Sequence, residues 1–186
     1  PIFDHGSLPG AADHIMADMN MNPFEFGMLG SVVYGGLVVG GGVATGVYNN
    51  SSRAKKALIF TLLFNSVLIY IFTLFKSFYL AAFTRFWLGF FQVFSCIYMP
   101  VWADVYANEK QKSAWVTILL LASPVGVIAG YTLTSIMVSY ATWHWSFYVQ
   151  AVGIMISAIV YAFVPDRYMD IDQTTKQKKK FIHNVQ

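Results

Sequence analysis

An all-α membrane protein is the fold class that the sequence predicts, on three observations. Apolar stretches of membrane length follow one another at short intervals, near 26–48, 57–75, 79–103, 114–138 and 144–164. Each is about 20 residues long, what an α-helix needs to cross ~30 Å of hydrocarbon. The chain is 56% hydrophobic and only 11% charged, where a soluble domain carries roughly 25% charged residues. Its cations also alternate from loop to loop. Arg53, Lys55 and Lys56, then Lys110 and Lys112, then Arg167 and the lysines of 176–180 fill every second connection, and of the 12 Lys and Arg residues only Lys76 and Arg85 lie elsewhere. Cytosolic loops retain cations, so the basic connections are assigned to the cytosol. Asp13, Asp18, Glu25 and Lys76 then fall outside.

The elements follow in order. If 26–48 runs from outside to inside, a preceding helix must climb from the cytosol. The opening stretch, about 1–12, is too short to span and is expected to be the outer end of a truncated first helix, giving six helices. Residues 16–23 form a short external segment, and Asn22-Pro23 followed by Glu25 resembles a helix start. The second helix is rich in glycine. Gly36/Gly40 and Gly42/Gly46 have the GxxxG spacing that lets helix backbones approach closely, and packing explains them better than a ligand does. Links at 49–56, 76–78, 105–113 and 139–143 are short, so neighbours run antiparallel in one bundle, 1–165. Pro124, Gly126 and Gly130 give the fifth helix a kink-permitting stretch. His144, between Trp143 and Trp145, fits an interfacial aromatic belt. Beyond Pro165 a basic tail, 166–186, reads as a cytosolic tail or a linker to another half.

Several function classes are excluded. A net charge of +3 resides in short juxtamembrane loops, so no nucleic-acid partner is expected. The one cysteine, Cys96, lies in an apolar span, which leaves no disulfide framework and no cysteine metal site. Without HExxH, GxSxG or a His–carboxylate cluster, no enzyme activity, catalytic residue, metal or cofactor is expected.

Function is therefore sought among polar residues at membrane depth, where a charge costs ~2.5 kcal/mol or more. Arg85 lies about two turns into the fourth span. Either it meets a partner inside the bundle, with Asp4 the only other charge at that depth, or it snorkels to the outer interface. Gln92 follows two turns later on the same helical face. Pro100 continues an Arg–Gln–Pro stripe towards a wet interior. Asn65 and Ser66 are either lining residues or structural hydrogen-bond partners. The phenylalanines 83, 86, 90, 91 and 94 with Tyr98 would suit an apolar route, though most are expected to pack against lipid or neighbouring helices.

The run from Arg85-Phe86-Trp87-Leu88-Gly89 through Pro100 to Asp104 resembles the fourth helix of major facilitator superfamily transporters, with its RxxxG signature. Residues 122–131, Ala-Ser-Pro-Val-Gly-Val-Ile-Ala-Gly-Tyr, resemble the Pro/Gly motif of the fifth helix. Trp143-His144-Trp145 is similar to the start of the sixth helix in the spinster-like branch, and Phe3-Asp4-His5 stands where that branch often has Asp-Arg. The resemblance covers nearly the whole chain as a six-helix half. It implies an alternating-access carrier of two halves built from nested inverted repeats. Asp4 and Arg85 would couple protonation to conformational change, with His5 in place of the usual Arg. Gln92 stands where the branch commonly has Glu. In the cytoplasmic gate, Asn49, Asn50, Arg53 and Lys55 keep the basic residues of the family's loop but lack its Asp.

The resemblance thus implies secondary transport of a small organic or amphipathic solute, lysolipid-like in the spinster branch and possible as proton symport. The implied partners are protons, membrane lipids and a second six-helix half, in the same polypeptide or another copy. The competing reading is a non-transporting scaffold subunit with a degenerate carrier fold. A lipid-handling enzyme comes third, because no catalytic constellation supports it.

Overall fold

The computed structural model describes residues 2–50 and 54–169. Its helices are α1 (Phe3–Gly10), α2 (Ala12–Met19), α3 (Pro23–Asn50), α4 (Ala54–Leu74), α5 (Phe78–Tyr106), α6 (Glu109–Tyr140) and α7 (His144–Phe163), followed by a 3₁₀ turn at Asp166–Tyr168. Helices α3 to α7 supply five segments long and apolar enough to cross a membrane. No strand occurs among the described residues.

The start of the chain departs from expectation. Helix does not stop near residue 12 but continues, after a break, to Met19. The break falls at Ala11, whose backbone leaves helical values (φ −120°, ψ 18°) two residues after Pro9. Proline removes a bond and crowds the carbonyl in the turn before it, and Gly10, a poor helix former, lies immediately before the break. The segment ends at Asn20 in the left-handed conformation (φ 50°), which asparagine tolerates as a helix terminator. The polar Asp13, His14 and Asp18 ended the hydropathy signal without ending the helix. The same holds for α5 and α6, which overrun 79–103 and 114–138 at their basic ends. Of the tail expected at 166–186, only residues up to 169 are described.

Helix α3 begins as the sequence suggests. Asn22 N–H donates to Glu25 Oε2 and Glu25 N–H donates to Asn22 Oδ1, both at 2.9 Å. Pro23 occupies the first helical position. This reciprocal pair satisfies two otherwise orphaned donors.

Packing runs in pairs: α3 against α5, α1 against α6, and α4 against α7, with α4 also touching α5. Glycines make the first two pairings intimate. A Cβ placed on Gly36 would lie 2.0 Å from the Phe86 carbonyl oxygen, and one on Gly89 would lie 2.0 Å from that of Val33. Across α1 and α6 the corresponding figures are 1.9 Å for Gly6 against Val127 O and 2.2 Å for Gly130 against Phe3 O. Gly42 and Gly46 meet nothing within 4 Å, so of the two GxxxG spacings only Gly36/Gly40 is used within the bundle. Hydrogen bonds tie the remaining helices. Ser66 Oγ donates to Ala151 O at 2.8 Å, and Thr134 and Ser146 share a buried hydroxyl–hydroxyl bond. Val38, Phe60, Leu120, Ile128, Ile156 and Val160 are exposed, as expected of side chains facing hydrocarbon.

Candidate functional site

Arg85 sits on α5 seven residues after Phe78, about 10 Å along the helix from its acidic-side end. It does not snorkel. It is 1% exposed, as is Asp4, and its Nη1 donates to Asp4 Oδ2 in a direct ion pair. The guanidinium carbon lies 4.3 Å from the Phe72 ring centroid and 5.6 Å from that of Phe147. A guanidinium shielded from water gains ~2 kcal/mol from such a ring face. The pair is incompletely satisfied, since Asp4 Oδ1 and Arg85 Nε and Nη2 have no hydrogen-bond partner among the described residues. Unmet donors and acceptors at such depth are costly.

Next along α1, His5 is half-buried. Its Nε2 lies 3.0 Å from Gln92 Nε2 on α5, and its ring centroid lies 5.4 Å from that of Tyr34 on α3. His5 and Gln92, two positions at which the sequence departs from the spinster-like pattern, are thus in contact. Asp4, His5, Arg85, Tyr34, Ser31 and Phe26 line a cavity of about 280 Å³ between α1, α3 and α5. A polar, charged floor under an apolar wall suits a solute with one ionised or hydrogen-bonding end.

The other residues singled out in the sequence do not converge on this cavity. Asn65 is buried and donates to Leu88 O at 3.4 Å, bridging α4 and α5. Tyr98 is buried too, but towards the basic end, where its hydroxyl donates to Met169 O at 2.8 Å. Pro100 is exposed and so leaves the Arg85–Gln92 face; fifteen residues of α-helix place it about 60° off that stripe. Gly89 and Gly130 are packing positions, Gly126 faces Ile2, and Pro124 lies inside α6. Asp104 forms an ion pair with Lys112.

Of the expected gate, Arg53 and the side chains of Asn49 and Asn50 lie outside the described residues. Lys55 is described. Its ammonium donates to Ala162 O (3.1 Å), Val164 O (2.6 Å) and Asp166 Oδ1 (2.8 Å). That hydrogen bond and the lysine's charge hold the exposed Asp166 carboxyl below its ordinary value. Trp102 Nε1 donates to Tyr168 O at 2.8 Å, so the chain leaving α7 is strapped to both α4 and α5. At the opposite end, Asp18 pairs with Lys76 at 3.6 Å and lies 3.9 Å from His144 Nε2.

Sequence reasoning missed Tyr34, Phe72 and Phe147. Each is one aromatic among many, and 16 phenylalanines give no signal for the two that flank Arg85.

The architecture and the buried pair define a class, and comparison with known proteins agrees with it. The family model "Major Facilitator Superfamily" matches residues 2–184, so the chain belongs to this family of membrane transporters. It is also similar to "Probable sphingolipid transporter spinster homolog 1" of Arabidopsis thaliana, at 21% identity over 164 residues, 86% of this chain and 32% of the relative. The chain thus spans about a third of the curated relative that it matches, and that relative carries the name of the spinster-like branch suggested by the sequence.

Proposed function

We propose that the chain is one half of a secondary active transporter that moves a small organic or amphipathic solute by alternating access, coupled to protons. The observation that carries this reading is the sequestered Asp4–Arg85 pair joining α1 to α5 at the floor of the 280 Å³ cavity. A buried ion pair between two helices has a different energy when the helices part, and a ligand or proton can shift an alternating equilibrium only through such a difference. Asp4, His5 and Arg85 form the coupling cluster, and Gln92 borders the solute path. The apolar wall and the sphingolipid carried in the relative's name both favour an amphipathic cargo of lysolipid type. A second six-helix half, supplied by the same polypeptide or another copy, completes the translocation path.

The test is uptake into proteoliposomes by the full-length gene product under an imposed pH gradient, with solutes ranging from sugars to lysolipids. Gradient-driven uptake that is lost in Asp4→Asn is the expected result. Uptake indifferent to gradient and substitution would leave a facilitator without coupling through this cluster. A folded protein that moves none of these solutes would refute the transport reading in favour of a scaffold.

A further inference from the structure

We propose that His5 is the proton carrier of the coupling cluster and that the Gln92 amide is the group that reads its state; this rests on the transport reading above. Asp4 and Arg85 are each 1% exposed, and the guanidinium is walled by Phe72 and Phe147. A proton placed on Asp4 would strand Arg85 as a buried cation with only aromatic faces beside it, a costly state. His5 has no such obligation. It is half-buried, lines the cavity and touches two neutral side chains, the Gln92 amide and the Tyr34 ring. Imidazole is also the side chain whose charge changes near neutral pH.

The contact itself carries the switch. The roles in this contact follow the ring's tautomer: a neutral ring with its lone pair on Nε2 accepts from the Gln92 amide nitrogen, which is a donor only. A proton arriving from water in the cavity and bonding to that nitrogen makes both atoms donors. Gln92 must then turn its Oε1 towards the ring or release it. The new cation lines the same cavity as Asp4 and Arg85, so its charge attracts the carboxylate and repels the guanidinium, which weakens the bridge between α1 and α5. Loss of the proton reverses each step.

The groups facing His5 are few. Asp4 lies on its own helix, Arg85 and Gln92 on α5, and Tyr34 on α3. Helices α6 and α7, which also pack on α1, carry no Asp, Glu, Lys or Arg from Ala114 to Tyr140 or from Trp145 to Phe163.

The experiment uses the full-length protein in nanodiscs with His14, His144, His183 and any further histidine replaced by glutamine, so that His5 gives the one imidazole signal by NMR. The ring should pass from neutral to protonated as the pH is lowered across the range in which imidazole changes charge. Gln92→Glu, which puts a carboxylate on the ring, should raise the titration midpoint by about one pH unit or more. In proteoliposomes, His5→Gln should lose the gradient-driven part of uptake, with His5→Asn as the second variant should the first fold poorly. A ring that stays in one protonation state over that range, or a His5→Gln protein with the wild-type pH profile, overturns the proposal. A ring that titrates and answers to Gln92 in a protein that transports nothing would refute the transport reading and keep the proton site.

Discussion

Replacing one member of the Asp4–Arg85 pair should cost far more than replacing both. Arg85→Leu removes the one ion-pair partner that Asp4, itself 1% exposed, has among the described residues. Breaking a buried pair from one side costs ~3–5 kcal/mol. At about 2–4 °C per kcal/mol for a chain of this size, the melting temperature should fall on the order of 10 °C. Asp4→Asn should lie in the same range, because it leaves the guanidinium buried against the Phe72 and Phe147 rings. The double variant Asp4→Asn/Arg85→Leu removes both orphans and should regain at least ~2 kcal/mol relative to the sum of the single losses. It should not reach wild type, since the ring contacts of the guanidinium, worth ~2 kcal/mol when desolvated, are gone as well. Thermal unfolding of the four proteins in one detergent, followed by monodisperse fraction on size exclusion, completes the cycle. Additive losses, with no coupling between the two sites, would refute the direct pairing and with it the reading of Arg85.

Three further outcomes are expected. Gly89→Ala should lower the melting temperature by several degrees, because its Cβ would stand 2.0 Å from Val33 O and overpacking costs ~1–3 kcal/mol; Gly42→Ala, with nothing within 4 Å, should change the same melt by less than a degree or raise it. Glu25→Ala removes one half of the reciprocal cap at the start of α3 and should destabilise by ~1 kcal/mol, read by the same melt or by faster amide exchange in the first turn. Asp166 has a lowered folded value because of Lys55, so its contribution is complete above the ordinary carboxylate range and fades as pH falls through the lowered value. The difference in melting temperature between wild type and Asp166→Asn should therefore be small, constant from pH 7 to about pH 5, and vanish in more acidic buffer.

How much of this could be read from the chain alone varied with the physics behind each feature. The spans were legible because hydrocarbon thickness imposes a length and excludes charge, and Arg85 stood out for the same reason. Asp4 followed because it was the other charge at depth. Helix ends were less legible, since membrane burial stops where polar residues begin while helical hydrogen bonding continues, as it does through Asp13 to Met19. Contacts between distant segments left no local trace. His5 and Gln92 are 87 positions apart, and each alone reads as an ordinary polar substitution. The stripe from Arg85 to Pro100 failed because the seven-residue step to Gln92 drifts by only ~20°, whereas the eight-residue step on to Pro100 turns by ~80°. Ser66 could not be decided between lining and bonding until the Ala151 carbonyl was beside it.

The glycine seams carry a consequence for movement. Where α3 meets α5 and α1 meets α6, backbone lies so near backbone that a single methyl group at Gly36, Gly89, Gly6 or Gly130 would collide with a carbonyl oxygen. Surfaces fitted this closely do not glide: a partial-turn slip of one helix would drive some other side chain into the place that only hydrogen fits. Each pair is therefore a single stave. Freedom is left to the sparser contacts, such as those between α6 and α7 or α1 and α7, and there a rocking protein would find its pivots.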